Sequence, residues 1–82
     1  MVKSLKFTRH AKNRMRRHGI NESEVEPAIQ KPEFLEPSIE GKMNAWVETS
    51  PKYLRVTFRE EESYFSIITA VKKEKKWGDG IE

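Results

Sequence analysis

The chain has 82 residues and no cysteine, with 35% hydrophobic and 35% charged residues, which limits it to one small domain folding on a modest core without disulfides. A thiol nucleophile, a redox motif and a cysteine-based zinc site are excluded, and two histidines alone do not build a typical structural metal site. The longest apolar run, within 65–71, falls far short of the roughly 20 residues that span a bilayer, and the first seven residues lack an apolar signal core, so a cytoplasmic protein with no membrane attachment is expected.

Sixteen Lys and Arg against 13 Asp and Glu leave a net charge of +3, but the signs are segregated along the chain. Residues 1–18 hold Lys3, Lys6, Arg9, Lys12, Arg14, Arg16 and Arg17 with no acid, whereas 19–40 hold six glutamates against Lys31. A local positive field of this kind attracts phosphate or an acidic partner protein.

In chain order, Thr8 can cap a first helix that runs to about His18, where Gly19 supplies the residue without Cβ that a left-handed C-terminal cap favours. Asn21 and Glu24 have the spacing of a capping box, and Ile20 and Val25 that of a hydrophobic staple, which starts a second helix running to about Gln30. Pro27 lies beyond the first turn and lacks an N–H, so this helix is expected to start later or bend there. From Phe34 the period becomes alternating, and four short strands are predicted near 35–39, 43–49, 53–59 and 64–71. Their short connections make neighbours antiparallel. Leu54, Val56 and Phe58 alternate with Tyr53, Arg55, Thr57 and Arg59, giving one buried and one cationic face. The last strand has apolar residues on both faces, as a central strand would. Residues 72–82 read as a lysine-rich, flexible tail with an anchor at Trp77.

At 100° per residue, His10, Arg14 and Arg17 fall within about 60° of one another. Ala11, Met15 and His18 form the neighbouring stripe, whose apolar members can pack on the sheet and leave the first three bordering a groove. Near a helix N-terminus the dipole disfavours a cation, and a neutral His10 can take the proton from a ribose 2′-OH while Arg14, Arg17 and Arg55 hold the phosphate. No cofactor or metal is needed. Arg9, Lys12 and Arg16 on the solvent side, with Tyr53, Thr57 and Arg59 on the strand, are candidate nucleic-acid contacts, and Tyr53 or Tyr64 offers a surface on which an unpaired base stacks. The ordinary alternatives are that His10 caps or packs, that Arg14 and Arg17 pair with Glu22, Glu24, Glu26 or Glu33, and that His18 is a C-terminal cap or partly buried core residue.

The stretch Phe7-Thr8-Arg9-His10-Ala11, then Arg14-Met15-Arg16-Arg17, Gly19-Ile20 and Glu24-Val25, resembles the start of the domain of unknown function 4258. The resemblance continues through Tyr53-Leu54-Arg55-Val56 and Ile67-Ile68-Thr69-Ala70-Val71 and covers about 7–71. It places the chain among RelE-like members of the barnase, EndoU, colicin and RelE group. That implies an α+β fold in which two N-terminal helices pack on a curved, four-stranded antiparallel sheet, as a single domain over 1–71. Many members of that group are metal-independent ribonucleases, including toxins of toxin–antitoxin pairs. The match carries over His10, Arg14, Arg17, Arg55 and Thr69 as site residues. Such folds also include gyrase poisons, so fold alone does not choose the activity.

The leading expectation is a metal-independent endoribonuclease or toxin-like RNA-interacting domain, with RNA or the ribosome as target. The alternative is a noncatalytic module that binds nucleic acid or an acidic, antitoxin-like protein.

Overall fold

A computed structural model describes residues 4–75. The elements in chain order are β1 (Ser4–Phe7), α1 (Arg9–His18), α2 (Glu22–Gln30), β2 (Phe34–Pro37), a single 3-10 turn (Ile39–Gly41), β3 (Met43–Glu48), β4 (Tyr53–Glu60) and β5 (Tyr64–Lys73). The fold is α+β, with two helices on a five-stranded mixed sheet of order β1-β5-β4-β3-β2.

This corrects the expectation of four antiparallel strands. Four strands are antiparallel and sit close to their predicted positions, but β1 adds a parallel edge, pairing Ser4 with Tyr64 through Phe7 with Ile67. A four-residue strand whose partner lies near the other end of the chain has no turn to announce it. β5 also runs on to Lys73, so Lys72 and Lys73 are strand rather than tail. The predicted flexibility of the later residues, and the anchor at Trp77, concern 76–82 and lie outside the described residues.

Both helices begin and end where the capping residues indicate. Thr8 Oγ1 accepts the Ala11 N–H at 3.0 Å, and Gly19 adopts φ 68° with its N–H turned back to the Arg16 carbonyl. Asn21 N–H donates to Glu24 Oε1 at 3.0 Å, the carboxylate half of the capping box. α2 nevertheless starts at Glu22 and continues through Pro27. The carbonyl that Pro27 leaves without an intrahelical donor belongs to Ser23, which is exposed, so water can satisfy it.

β5 contains a bulge. Thr57 pairs with Thr69 but Phe58 pairs with Ile67, leaving Ile68 as the extra residue. The slip changes the phase of the strand, so that Phe65 and Ile67 before it and Ala70 after it all join the core. The two apolar faces of this segment thus reflect a phase change as well as a central position. Ala11 and Met15 of α1 and Val25, Ala28 and Ile29 of α2 complete that core with Ala45, Leu54, Val56 and Phe58. Leu54, Ile67, Val25 and Val56 are the largest fully buried side chains, each worth roughly 1.5–3 kcal/mol of burial.

α1 lies along the edge of β5 that β1 leaves open. β1 stops opposite Ile67; there the Thr8 N–H donates to the Ile67 carbonyl and Thr8 Oγ1 to the Ile68 carbonyl, both at 3.2 Å. At the other end of α1, His18 Nδ1 accepts the Lys72 N–H at 3.4 Å. The helix therefore satisfies backbone groups of the free strand edge as well as covering the core. Among the described residues no helix is long and apolar enough to cross a membrane.

Candidate nucleic-acid interface

The predicted residues occupy two regions. On α1, His10 and Arg17 are exposed and Arg14 is half-buried. Lys12 and Arg16 share a cavity of about 310 Å³ with Met15, Ile20, Asn21 and Glu22, so that flank turns toward the start of α2. Helical geometry then puts His10, Arg14 and Arg17 on the flank turned away from α2. Arg9 is exposed. Among the described residues neither Arg14 nor Arg17 forms the expected ion pair with an α2 glutamate; Lys72 instead lies 4.0 Å from Glu24. Among the described residues no carboxylate neutralises the cationic flank of α1.

The second region is the sheet face away from the helices. Partnered residues share a face, so Trp46, Arg55 and Val71 form one row across β3, β4 and β5, and Asn44, Thr57 and Thr69 the next. Trp46 and Val71 are buried yet lie outside the main core cluster, as this second face requires. Arg55 lies over the Trp46 ring, 5.9 Å from its centroid, and its Nε is buried with no hydrogen-bond partner. Among the described residues no carboxylate pairs with this guanidinium.

Beside it runs a polar chain. Thr57 Oγ1 donates to Asn44 Oδ1 at 2.7 Å, Asn44 Nδ2 donates to Glu36 Oε2 at 3.1 Å, and Trp46 Nε1 donates to the same oxygen at 3.0 Å. Thr57 is only 8% exposed, so its hydroxyl proton is spent on Asn44 and the residue braces the face. Glu36, engaged by two donors, fixes the Trp46 indole on which Arg55 lies. Arg59 Nη2 reaches the Glu40 carbonyl at 3.2 Å, toward the far end of β4. Lys6 stands 4.5 Å from the Tyr64 ring centroid, a cation–π contact. Tyr53 is half-buried on the same face, one alternation from Arg55.

The structure thus groups Tyr53, Arg55, Thr57 and Thr69 on one face and His10, Arg14 and Arg17 on one flank of α1. Thr69 lies between the groups, since it follows Ile68, whose carbonyl holds Thr8 at the start of α1. Sequence reasoning missed Glu36, Asn44 and Lys6 as parts of this face. Alternation could have found Asn44; the alignment of Glu36 with it depends on strand pairing.

His18 has a separate environment. It is half-buried, and burial together with the charges of Arg14, Lys52, Arg17 and Lys72 holds its imidazole below the ordinary value.

The family model described as Domain of unknown function (DUF4258) matches residues 7–77. No curated protein and no solved structure matches the chain significantly.

Proposed function

We propose that this chain, which belongs to the family described as Domain of unknown function (DUF4258), is a RelE-like RNA-interacting domain that cleaves RNA without a metal. Unpaired RNA is held at the sheet face away from the helices, where Arg55 binds a backbone phosphate. At the edge of β5 the strand meets His10. There the 2′-OH oxygen bonds to phosphorus as its proton passes to the imidazole. The P–O5′ bond breaks, and the same proton returns to the leaving oxygen, giving a 2′,3′-cyclic phosphate and a 5′-hydroxyl. Arg14 stabilises the charge gathering on the phosphate oxygens.

The observation that carries this reading is Arg55. A guanidinium lying over an indole, with no carboxylate partner among the described residues and a buried Nε lacking an acceptor, is a charge placed to meet an anion. A second reading, RNA binding without turnover, is favoured by the placement of Arg55 and His10 on different layers.

The test incubates wild-type, His10→Ala and Arg55→Ala proteins with unpaired RNA and with translating ribosomes, in the presence of EDTA, and records both binding and cleavage ends. Cleavage lost in His10→Ala with binding retained supports the mechanism; Arg55→Ala should weaken binding and lower the salt slope by about 0.7. Binding without cleavage in the wild type selects the second reading. Failure of the wild type to bind or cut any RNA overturns both.

A further inference from the structure

Apart from the Arg55 face, the C-terminal end of α1, the β3–β4 hairpin and the end of β5 border a cavity of about 340 Å³ lined by Arg17, His18, Thr49, Ser50, Pro51, Lys52 and Lys72. The three cations come from three elements distant in sequence. Lys72 Nζ donates to Thr49 Oγ1 at 3.5 Å. That hydroxyl donates in turn to the Lys52 carbonyl at 2.7 Å, which the Thr49 N–H also reaches at 2.8 Å, closing the hairpin that carries Lys52.

His18 adds a neutral donor. Its Nδ1 accepts the Lys72 N–H, so the neutral ring carries its proton on Nε2. Two of the cations have a carboxylate at the outer limit of an ion pair: Glu24 stands 4.0 Å from Lys72 and Glu74 4.0 Å from Lys52. Among the described residues Arg17 has no carboxylate partner. The dipole at the end of α1 opposes an anion, but only by about half a charge, and two carbonyls of its last turn, of Arg16 and Met15, are engaged by the N–H groups of Gly19 and Ile20 at 3.3 and 2.8 Å.

We propose that this cavity is a phosphoryl-binding site, in which Arg17, Lys52 and Lys72 hold the phosphate oxygens and His18 Nε2–H donates the remaining hydrogen bond. The phosphoryl group belongs to an RNA strand or to free phosphate. The RNA form rests on the reading given under Proposed function; the phosphate form does not. The lowered His18 titration agrees with the site: burial is its first cause, and the positive charges of Arg14, Lys52, Arg17 and Lys72 that add to it are those an anion would neutralise.

The test follows the His18 ring resonances by NMR through titrations with inorganic phosphate, a 5′-phosphorylated RNA oligonucleotide and the same oligonucleotide with a 5′-hydroxyl, with chloride matching ionic strength. Phosphate should shift His18 but not His10 and raise the pH at which His18 titrates. Lys52→Gln and Arg17→Gln, which alter exposed side chains, should each weaken that response about tenfold. A response to phosphate but to neither oligonucleotide establishes the free-phosphate form. A stronger response to the 5′-phosphorylated strand establishes a terminal phosphate as the ligand, and an equal response to both strands an internal phosphodiester. If RNA binds through Arg55 while His18 remains silent to all three probes, this inference is overturned and the Arg55 reading stands.

Discussion

Thr8 joins three parts of the molecule, and replacing it with valine isolates what those joints contribute. Its hydroxyl accepts the Ala11 N–H at 3.0 Å and donates to the Ile68 carbonyl at 3.2 Å. Valine preserves the branched shape and the extended backbone at φ −71°, ψ 163° but offers neither atom. Loss of an N-cap costs about 1 kcal/mol, and loss of the second hydrogen bond about 1 kcal/mol more. A total of about 2 kcal/mol, in a domain of this size, lowers Tm by about 8–16 °C. Urea and thermal unfolding followed by circular dichroism read the loss directly, and amide exchange at Ala11 should accelerate as the first turn frays. Thr8→Ser keeps both hydrogen bonds and should stay within about 3 °C of wild type. A Thr8→Val protein melting within about 2 °C of wild type would refute the coupling of α1 to the β5 bulge.

Two further perturbations test the frame and the charge cluster. Gly19→Ala places a Cβ on a residue at φ 68° with nothing within 4 Å of it, so the cost is backbone strain alone, about 1 kcal/mol, and Tm should fall by about 4–8 °C; an unchanged Tm would show that the C-terminal turn relaxes freely. For His18, whose folded titration lies below the ordinary value, the unfolded chain binds the proton more readily. Stability is therefore full above the unfolded pKa and declines as pH falls through 6.5 toward the folded value. The wild type should lose more Tm than His18→Gln between about pH 7 and pH 5, and parallel pH profiles for the two proteins would remove His18 as a contributor.

What was legible in the sequence was local. Thr8, Gly19 and the Asn21–Glu24 pair marked the helix ends because a cap acts within one turn, and clean alternation in β4 separated Leu54, Val56 and Phe58 from Tyr53, Arg55, Thr57 and Arg59. β1 escaped because four residues carry too little periodicity. The bulge at Ile68 escaped because a change of phase inside a strand resembles burial on both sides. Pro27 suggested a break that solvent exposure on that side of α2 makes unnecessary. The candidate site was legible by residue and illegible by assembly: His10, Arg14 and Arg17 belong together by helical spacing, and Arg55 with Thr57 by alternation, yet their separation into two layers depends on where α1 crosses β5. The cavity around His18 was hidden for the same reason, since Lys72 reads as tail until β5 is seen to include it.

The segregation of charge along the chain now has a spatial meaning. Cationic α1 precedes acidic α2, and mutual neutralisation of their side chains would have cancelled the field of both. The fold instead turns His10, Arg14 and Arg17 away from α2 and gives Glu24 to Lys72. Positive charge therefore remains on both sides of the β5 edge, with α1 and the His18 cavity on one side and Arg55 with Lys6 on the other. A polyanion contacting both regions must bend over that edge within a few nucleotides. Duplex nucleic acid is stiff on this scale, whereas an unpaired strand is flexible and exposes its bases for stacking. Charge on either side of the edge thus favours single-stranded RNA over duplex as the ligand of the proposed surface.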